Sequence, residues 1–537
     1  MDVLKQIAGL LDDDSPRKRI AAAVVLGELR VKDPAVVSRL VAMAKDDVEA
    51  FAEAGIEALG AIGSTKALPV LLDALGRGRH LQPIAAKAIA SLGPDVLPDI
   101  RARLDGATPE VRAVLSQLLP AVGGRQSFEM ALEGMRGQPF DVVNKVALSV
   151  RHEAKSASES ERRVMRTQVM KFLEKKKTAE DEPALRGALK VLGYLELPET
   201  QDALLSYLGK RETVPVKVEA ITALRFALSA GASKKAIRRL MELLEEPDAL
   251  VARAARDTLT VLKMGPEFSE ELAELCTSKD VDVALWAIAR LGILAGESKL
   301  AVKTLLPVAR GGERLRAEAA AKVLATLKGG EALLVEALSD AEEEVGAQVL
   351  AEVLNPLSSK LSKKDVAALL KAGAAQLGKS FAVARRQLEP VRNADAQGWA
   401  NVLREKAKAL VKKDEARSDA IVQLLMRSSM ATADDRYGYA VQALSRSPMD
   451  PHPQARRRDP AVGELEKLLE NGFPLVKRLE KDKAVSDEGR LYLGFHFVEA
   501  MQPEAKGIGA ALLEQVASKG KGKLAKAAKN KLKLSRV

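Results

Sequence analysis

Histidine and cysteine, the side chains most often used to bind metals or to act as nucleophiles, are rare in this chain of 537 residues. No histidine stands four residues from a second metal ligand, the spacing that would place two ligands on one face of a helix. The four histidines are His80, His152, His452 and His496. The only cysteine, Cys276, follows apolar residues with no histidine nearby in sequence, and this favours a buried small side chain. We expect no metal site and no cysteine nucleophile.

Motifs that bind phosphate or a cofactor are also missing. There is no Gly-x-x-x-x-Gly-Lys-Ser/Thr segment, and the glycine-containing segments at 63–66 and 296–299 lie in turns between predicted helices with no strand before them. Trp286 and Trp399 each stand alone at helical spacing, which is typical of core packing. Since no nucleophile, base and orienting residue can be assembled, we predict that the chain is not an enzyme and binds no cofactor.

Positive charge is concentrated near the C-terminus. Residues 401–537 hold 27 basic and 18 acidic side chains, a net charge of +9 out of +11 for the whole chain. Such a segment attracts nucleic acid, anionic lipid or acidic protein. The candidate polyanion-binding residues are Lys519, Lys521, Lys523, Lys526, Lys529, Lys531, Lys533 and Arg536 of the tail, with Arg456, Arg457 and Arg458. The alternative is that the tail is an end cap, a short helix with Leu524, Ala528 and Leu532 as its apolar stripe.

Aromatic residues cluster in the same region. Six of the 17 aromatic side chains fall between residues 437 and 497, with arginine and lysine residues among them. They are Tyr437, Tyr439, Phe473, Tyr492, Phe495 and Phe497. Rings interleaved with cations can stack bases and hold phosphates. The alternative is that these rings fill a local core.

The elements that must position these residues are predicted from a phrase that returns about every 33 residues. In its first copy, residues 18–27, small residues occupy the centre, and a leucine followed by glycine closes the helix. The leucine recurs as Leu26, Leu59, Leu92, Leu119, Leu192, Leu224, Leu259, Leu291 and Leu324. A fixed period in this range is typical of a solenoid of stacked helix pairs.

One pair shows how the phrase is expected to fold. Pro34 opens a first helix, the segment 45–47 makes a turn, and residues 51–62 form a second helix that Gly60 and Gly63 end. The alanine pairs in the middle of the phrase let neighbouring helices approach closely. No pair can bury its apolar face alone, so stacking must build one long core.

The second helix of the phrase resembles that of HEAT repeats, in particular the short bacterial repeats grouped with phycobilin lyases. An approximate Val-Arg-x-x-Ala-Ala-x-Ala-Leu-Gly pattern carries the resemblance, and Val111-Arg112, Ala22-Ala23 and Val25-Leu26-Gly27 match parts of it. The arginine is replaced in several copies, by Ala52, Lys217, Ala252 and Ala284. Over residues 1–355 the resemblance implies an all-α fold, a right-handed α-solenoid of stacked antiparallel helix pairs, used mostly as a binding scaffold.

The patterns divide the chain into three parts. Residues 1–355 carry the regular repeats, with a charged insertion at 151–181. Residues 356–518 are predicted to form degenerate helical repeats or a separate helical domain, with an open loop at the four prolines of 445–460. Residues 519–537 are the lysine-rich tail. Within the second part we predict helices at 363–377, 397–412, 415–429, 434–446, 461–470, 487–500 and 508–518.

Two functions from different classes follow. An extended surface without catalytic residues favours a non-enzymatic scaffold or adaptor that binds a protein partner on the concave face lined by second helices. The alternative is a nucleic-acid-binding protein that uses the basic, aromatic-containing C-terminal third. With one cysteine, no signal peptide and no run of 18 apolar residues, we expect a cytoplasmic protein without a membrane span.

Overall fold

The computed structural model of this chain describes residues 3–446, 452–519 and 522–535, and every regular element in these ranges is helical. The chain divides into two compact units, Met1–Met264 and Gly265–Val537. We call them the N-terminal unit and the C-terminal unit. The predicted all-α solenoid is confirmed, because helices stack one after another within each unit.

The N-terminal unit is built from α-helices joined by short turns. Its α-helices are α1 Val3–Gly9, α2 Pro16–Glu28, α3 Pro34–Ala44, α4 Glu49–Ile62, α5 Leu68–Ala74, α6 Leu81–Ser91, α7 Leu97–Asp105, α8 Pro109–Val122, α9 Arg125–Glu133, α10 Phe140–Ser156, α11 Glu159–Leu173, α12 Lys176–Ala179, α13 Glu182–Tyr194, α14 Gln201–Ser206, α15 Val214–Ala227, α16 Lys234–Glu242 and α17 Ala249–Val261. Short 3-10 helices lie at Leu10–Asp12, Thr65–Ala67, Pro94–Val96, Pro198–Thr200, Leu228–Ala230 and Leu243–Glu245.

The C-terminal unit is also helical in its described part. Its α-helices are α18 Ser269–Leu275, α19 Val281–Leu294, α20 Lys299–Arg310, α21 Arg314–Thr326, α22 Gly330–Ser339, α23 Glu344–Leu354, α24 Lys363–Gln376, α25 Phe381–Ala394, α26 Ala396–Leu410, α27 Glu415–Met426, α28 Ala433–Arg446, α29 Pro453–Arg458, α30 Pro460–Glu470, α31 Leu475–Lys481, α32 Asp487–Val498, α33 Pro503–Ser518 and α34 Lys523–Ser535. Its 3-10 helices are Pro266–Phe268 and Asn355–Lys360.

Second helices form a continuous layer in the N-terminal unit. Each of α2, α4, α6, α8, α10, α13, α15 and α17 packs against the next. The first helices α3, α5, α7, α9, α11, α14 and α16 pack against this layer. Second-helix residues that no first helix covers, such as Lys145, Thr222 and Arg225, are exposed. We call their side of the layer the open face.

The charged stretch at 151–181 belongs to the repeats and is not an insertion between them. Its first residues complete α10, and α11 is the first helix of the next pair. Ser158 and Glu161 form a reciprocal capping box at the start of α11. Val169 and Phe172 are buried near its end. The charge run is therefore the solvent side of an amphipathic first helix.

Successive second helices meet at small residues, and we call these glycine–alanine contacts the seam. A Cβ atom on Gly27 would lie 2.9 Å from the Cα of Ala58, and a Cβ on Gly60 would lie 2.8 Å from the Cα of Ala88. Both distances are too short for a methyl group, so the helices can approach this closely only at glycine. The predicted end of this helix at residue 62 is confirmed, and Gly60 lies inside its last turn. Gly63, with φ of 69°, forms the left-handed C-cap.

In the C-terminal unit, α19, α21, α23 and α25 continue the same kind of stacking, each on the next. Beyond them, α28, α30, α31, α32 and α33 share a local core that includes Tyr437, Tyr492 and Phe497. The last helix, α34, packs on α32 and α33.

None of the helices in the described ranges combines the length and the apolar character needed to cross a membrane.

The segment at 445–460 contains helices where an open loop was expected. α29 begins at Pro453 and α30 begins at Pro460. Proline is favourable at a first helical position, because its missing N–H would have no partner there. Asp459 caps α30 through its side chain. Residues 447–451 of the same segment lie outside the described residues.

Candidate functional site

The side chains with potential for metal or nucleophilic chemistry do not come together. His80 and His152 are exposed, and His496 is buried with Nε2 2.8 Å from Glu466 Oε1. In the described ranges, no three His, Cys, Asp or Glu side chains are grouped so that they could hold a metal ion. Burial raises the pKa of the Cys276 thiol to about 12. These residues offer no assembled catalytic site.

Aromatic side chains of the C-terminal unit mostly serve packing. The hydroxyl of Tyr437 donates to Asp482 at 3.0 Å, while Tyr492 and Phe497 are buried in the same local core. Phe495 is half-buried beneath α34. Because a buried ring has no free face for a base, Tyr437, Tyr492 and Phe497 are not available for stacking, while Tyr439 and Phe473 are half-buried.

Two of the predicted polyanion-binding residues hold the last helix in place. Arg456 is 3% exposed, with Nη2 2.9 Å from Glu499 Oε2, and Lys531 of α34 binds the other oxygen of Glu499. Both cations also lie over the ring of Phe495. Burial opposes ionisation of Glu499, but the hydrogen bond from Lys531 and the two positive charges lower the pKa of its carboxyl below the usual range. We call this group the α34 latch.

The other predicted cations are divided between a second ion pair and the surface. Lys519 Nζ lies 2.7 Å from Asp487 Oδ1. Arg457 and Arg458 are exposed on α29. Lys521 and Arg536 lie outside the described residues.

Four lysines of α34 remain exposed on the side turned away from the core. Ala525 and Ala528 are buried on the packed side, with Leu524 and Leu532 half-buried beside them. The exposed lysines, which we call the lysine stripe, are Lys523, Lys526, Lys529 and Lys533. None of these four forms an ion pair with a described residue. At the rise of an α-helix the stripe is about 15 Å long.

A row of charged and aromatic side chains crosses the open face of the N-terminal unit. On α13, Arg186, Lys190 and Tyr194 stand four residues apart and so share one side of the helix. Neighbours on α10 and α15 complete the set. The open-face row consists of Phe140, Arg151, Arg186, Lys190, Tyr194, Glu219 and Phe226.

One half of the open-face row holds a carboxylate between two cations. The nearly buried carboxylate of Glu219 lies 3.2 Å from Lys190 Nζ and 3.7 Å from Arg186 Nη2. Lys190 also donates to Asn144 Oδ1 at 2.8 Å. Arg186 stacks on Phe140, with Cζ 3.6 Å from the ring centroid, a cation–π contact that fixes the guanidinium.

The other half of the row places one guanidinium against two rings. Arg151 Cζ lies 5.1 Å from the ring centroids of both Tyr194 and Phe226. The two rings meet edge to face, with centroids 5.1 Å apart. Burial raises the pKa of the Tyr194 hydroxyl, so this group stays neutral at physiological pH. Arginine and tyrosine often carry most of the binding energy at protein interfaces.

Neither charge nor motif spacing in the sequence singled out this row. Its signal lies in the register of the repeats. Tyr194 and Phe226 each stand two residues after an anchoring leucine, Leu192 and Leu224, where another repeat carries Ala61. Large aromatic residues at a position that faces solvent in the repeat would have marked these helices as different.

Comparison with known proteins finds one family match. Residues 3–93 match the family model of HEAT repeats. A search of curated proteins finds no match. Among solved structures, the chain is similar to the karyopherin Kap121p bound to the SUMO protease Ulp1p, with 11% identity, coverage of 99% of this chain and 76% of that chain, and a TM-score of 0.41. It is also similar to UNC-45 from Drosophila melanogaster, with 13% identity, coverage of 98% and 90%, and a TM-score of 0.31.

Proposed function

Because this chain is a HEAT-repeat protein, we propose that it is a non-enzymatic scaffold or adaptor that binds a protein partner on the open face of its N-terminal unit. The observation that supports the proposal is the open-face row. It brings arginine, lysine, tyrosine and phenylalanine together on three successive second helices. A cytoplasmic location is part of the same proposal, supported by a single, buried cysteine.

The test is affinity capture from native lysate with variants that change only exposed residues. Leu148→Asp with Arg225→Glu alters the open face beside the row, where both side chains are exposed. The matched control, Val164→Asp with Lys171→Glu, makes the same kinds of change on first helix α11. We expect the open-face variant to lose its protein partner while the control keeps it, with or without nuclease. Equal capture by both variants, or release by nuclease, would contradict the proposal.

The second candidate function is nucleic-acid binding through the lysine stripe. Its support is the set of four exposed lysines on one side of α34, free of acidic partners among the described residues. Deleting the tail would also uncover Leu513 and Val516, which α34 covers. Glutamine at all four positions is therefore a cleaner change, because it removes charge and leaves the packed side intact.

Titration with a labelled single-stranded RNA at several salt concentrations would test this second function. The slope of log affinity against log salt is negative, and each lost phosphate contact is expected to make it less steep by about 0.7. If the four glutamines leave the affinity and the salt slope unchanged, the stripe is not the binding surface.

A further inference from the structure

One guanidinium of the open-face row is held by rings and has no acidic partner. In the described part of the chain no carboxylate forms an ion pair with Arg151, and its buried Nε has no hydrogen-bond partner. Arg186 and Lys190 differ, because Glu219 lies between them. A half-buried charge is usually paired, so an uncompensated one that two rings hold in a fixed position is ready for an external anion.

Exposed basic residues lie on the helix that carries Arg151 and on the helix that carries Phe226. His152 and Lys155 follow Arg151 on α10, and Arg225 lies on α15 next to the stacked Phe226. All three are exposed. Glu153, the acid nearest in sequence, lines a separate cavity that also contains Gly124.

We propose that Arg151 and its exposed basic neighbours bind the carboxylates of an extended acidic segment of the partner protein. This inference rests on the proposed function and names the chemistry of its partner. A planar guanidinium donates two parallel hydrogen bonds to a carboxylate, and rings beneath it fix its orientation before binding. Protein carboxylates are the only anions that a protein partner supplies without modification.

The geometry favours spaced carboxylates over the continuous phosphates of a nucleic acid. Tyr194 is 8% exposed, which closes its ring to a base, and the half-buried ring of Phe226 already carries the guanidinium of Arg151. The other two cations of the row already have the carboxylate of Glu219 as their partner, so a phosphate backbone that followed the row would find only Arg151 without a counter-ion among the described residues. An acidic peptide can instead place single carboxylates beside Arg151 and leave Glu219 uncovered.

The experiment is a selection of random phage-displayed peptides on the full chain, followed by affinity measurements with synthetic copies of those enriched. We expect enrichment of aspartate and glutamate. Arg151→Gln is expected to weaken binding of these peptides about tenfold or more, since a hydrogen-bonded charge partner is lost. Arg151→Lys keeps the positive charge but loses the planar guanidinium. Its affinity for the peptides should lie between those of the unchanged chain and Arg151→Gln. Lys171→Gln on α11 is the charge-matched control and should bind as the unchanged chain does.

Each outcome decides a different point. Thermal melts of Arg151→Gln show whether the fold is kept, and Arg151→Lys provides a second variant if it is not. A different result would be enriched peptides that carry neutral or basic residues and fail to bind the open-face variant. That result would overturn the carboxylate inference and leave the scaffold proposal standing. Peptides that bind equally to all of these variants would overturn both. Competition by single-stranded RNA that Arg151→Gln abolishes would show that the anion is phosphate and would also overturn the inference.

Discussion

Glycine in the seam is required for space and not for backbone freedom. Gly193 lies inside the last turn of α13, and a Cβ atom there would be 2.7 Å from both the Cα and the carbonyl oxygen of Ala223. Its helical backbone would suit alanine. The neighbouring helix alone therefore excludes a side chain at this position.

Gly193→Ala is expected to destabilise the N-terminal unit by about 1–3 kcal/mol, because the added methyl group must push α13 and α15 apart. The matched control is Gly438→Ala in the middle of α28, where a Cβ meets nothing within 4 Å. That change should stabilise by about 0.5–1 kcal/mol through helix propensity. Urea unfolding followed by circular dichroism measures both. A stabilised Gly193→Ala protein would show that the seam is looser than described.

The thiol of Cys276 is predicted to be unreactive toward alkylating reagents in the folded protein. Burial raises the pKa of its thiol to about 12, so almost no thiolate exists at pH 8. We expect no reaction with iodoacetamide in native buffer and one alkylated cysteine per chain in denaturant. Mass spectrometry of the intact protein measures this directly. Rapid alkylation of the native chain would mean that the helix pair around Cys276 opens readily.

At the scale of elements, α34 depends on two acid–base pairs for its docking. Lys531 reaches Glu499 in the α34 latch, and Lys519 reaches Asp487 just before the helix. Ala525 and Ala528 are buried and Leu524 and Leu532 are half-buried on the packed side, so apolar contact supplies part of the docking. The two ion pairs add to it, and Lys531 with Glu499 is the less exposed of the two.

Glu499→Gln is expected to raise amide hydrogen exchange throughout α34 at neutral pH. The control is Glu488→Gln, which removes an exposed acid from α32 without touching the latch. If both variants exchange as the unchanged chain does, the latch does not hold the helix.

The pH dependence of α34 follows from the same carboxyls. The folded pKa of Glu499 is below its usual value of 4.5, with Lys531 and Arg456 lowering it against the opposing effect of burial. The hydrogen bond from Lys519 is the main cause that lowers the pKa of Asp487 below 3.8. Stability from depressed carboxyl pKa values is fully present above the usual values and is lost as pH falls through the folded ones. We expect protection of α34, corrected for intrinsic exchange, to be constant above about pH 5 and to fall in more acidic buffer.

At the scale of the whole molecule, repeats couple mainly to their neighbours, so damage should stay local. Leu224 is fully buried in α15, and Leu224→Asp would place a charge in that core. We expect strong loss of exchange protection in α13, α15 and α17, and little change in the C-terminal unit. Hydrogen exchange with mass spectrometry measures protection separately in the N-terminal unit and in the C-terminal unit. Uniform loss of protection over the chain would show that it unfolds as one cooperative body.

Regular features of the fold are predictable because they repeat. The anchoring leucines locate the second helices, and the predicted helices at 363–377 and 461–470 lie within two residues of α24 and α30. Features that depend on tertiary partners are not predictable. The sequence places Arg456 in an open loop, and only the fold shows Glu499 beside it. The register of the repeats marks Tyr194 and Phe226 as unusual, but only the fold shows Arg151 beside them, because Arg151 is far from Phe226 in sequence.

The seam also determines how such a chain can change length over evolutionary time. Gly27 meets Ala58, and Gly60 meets Ala88, so α4 carries an alanine for the helix before it and a glycine for the helix after it. Duplication or deletion of one whole period of this kind therefore reproduces a matching pair at the new junction. A change of one residue within a second helix would put a larger side chain, such as Glu57 or Leu59, opposite Gly27. Related chains should accordingly differ by whole repeats, with smaller length differences confined to the turns.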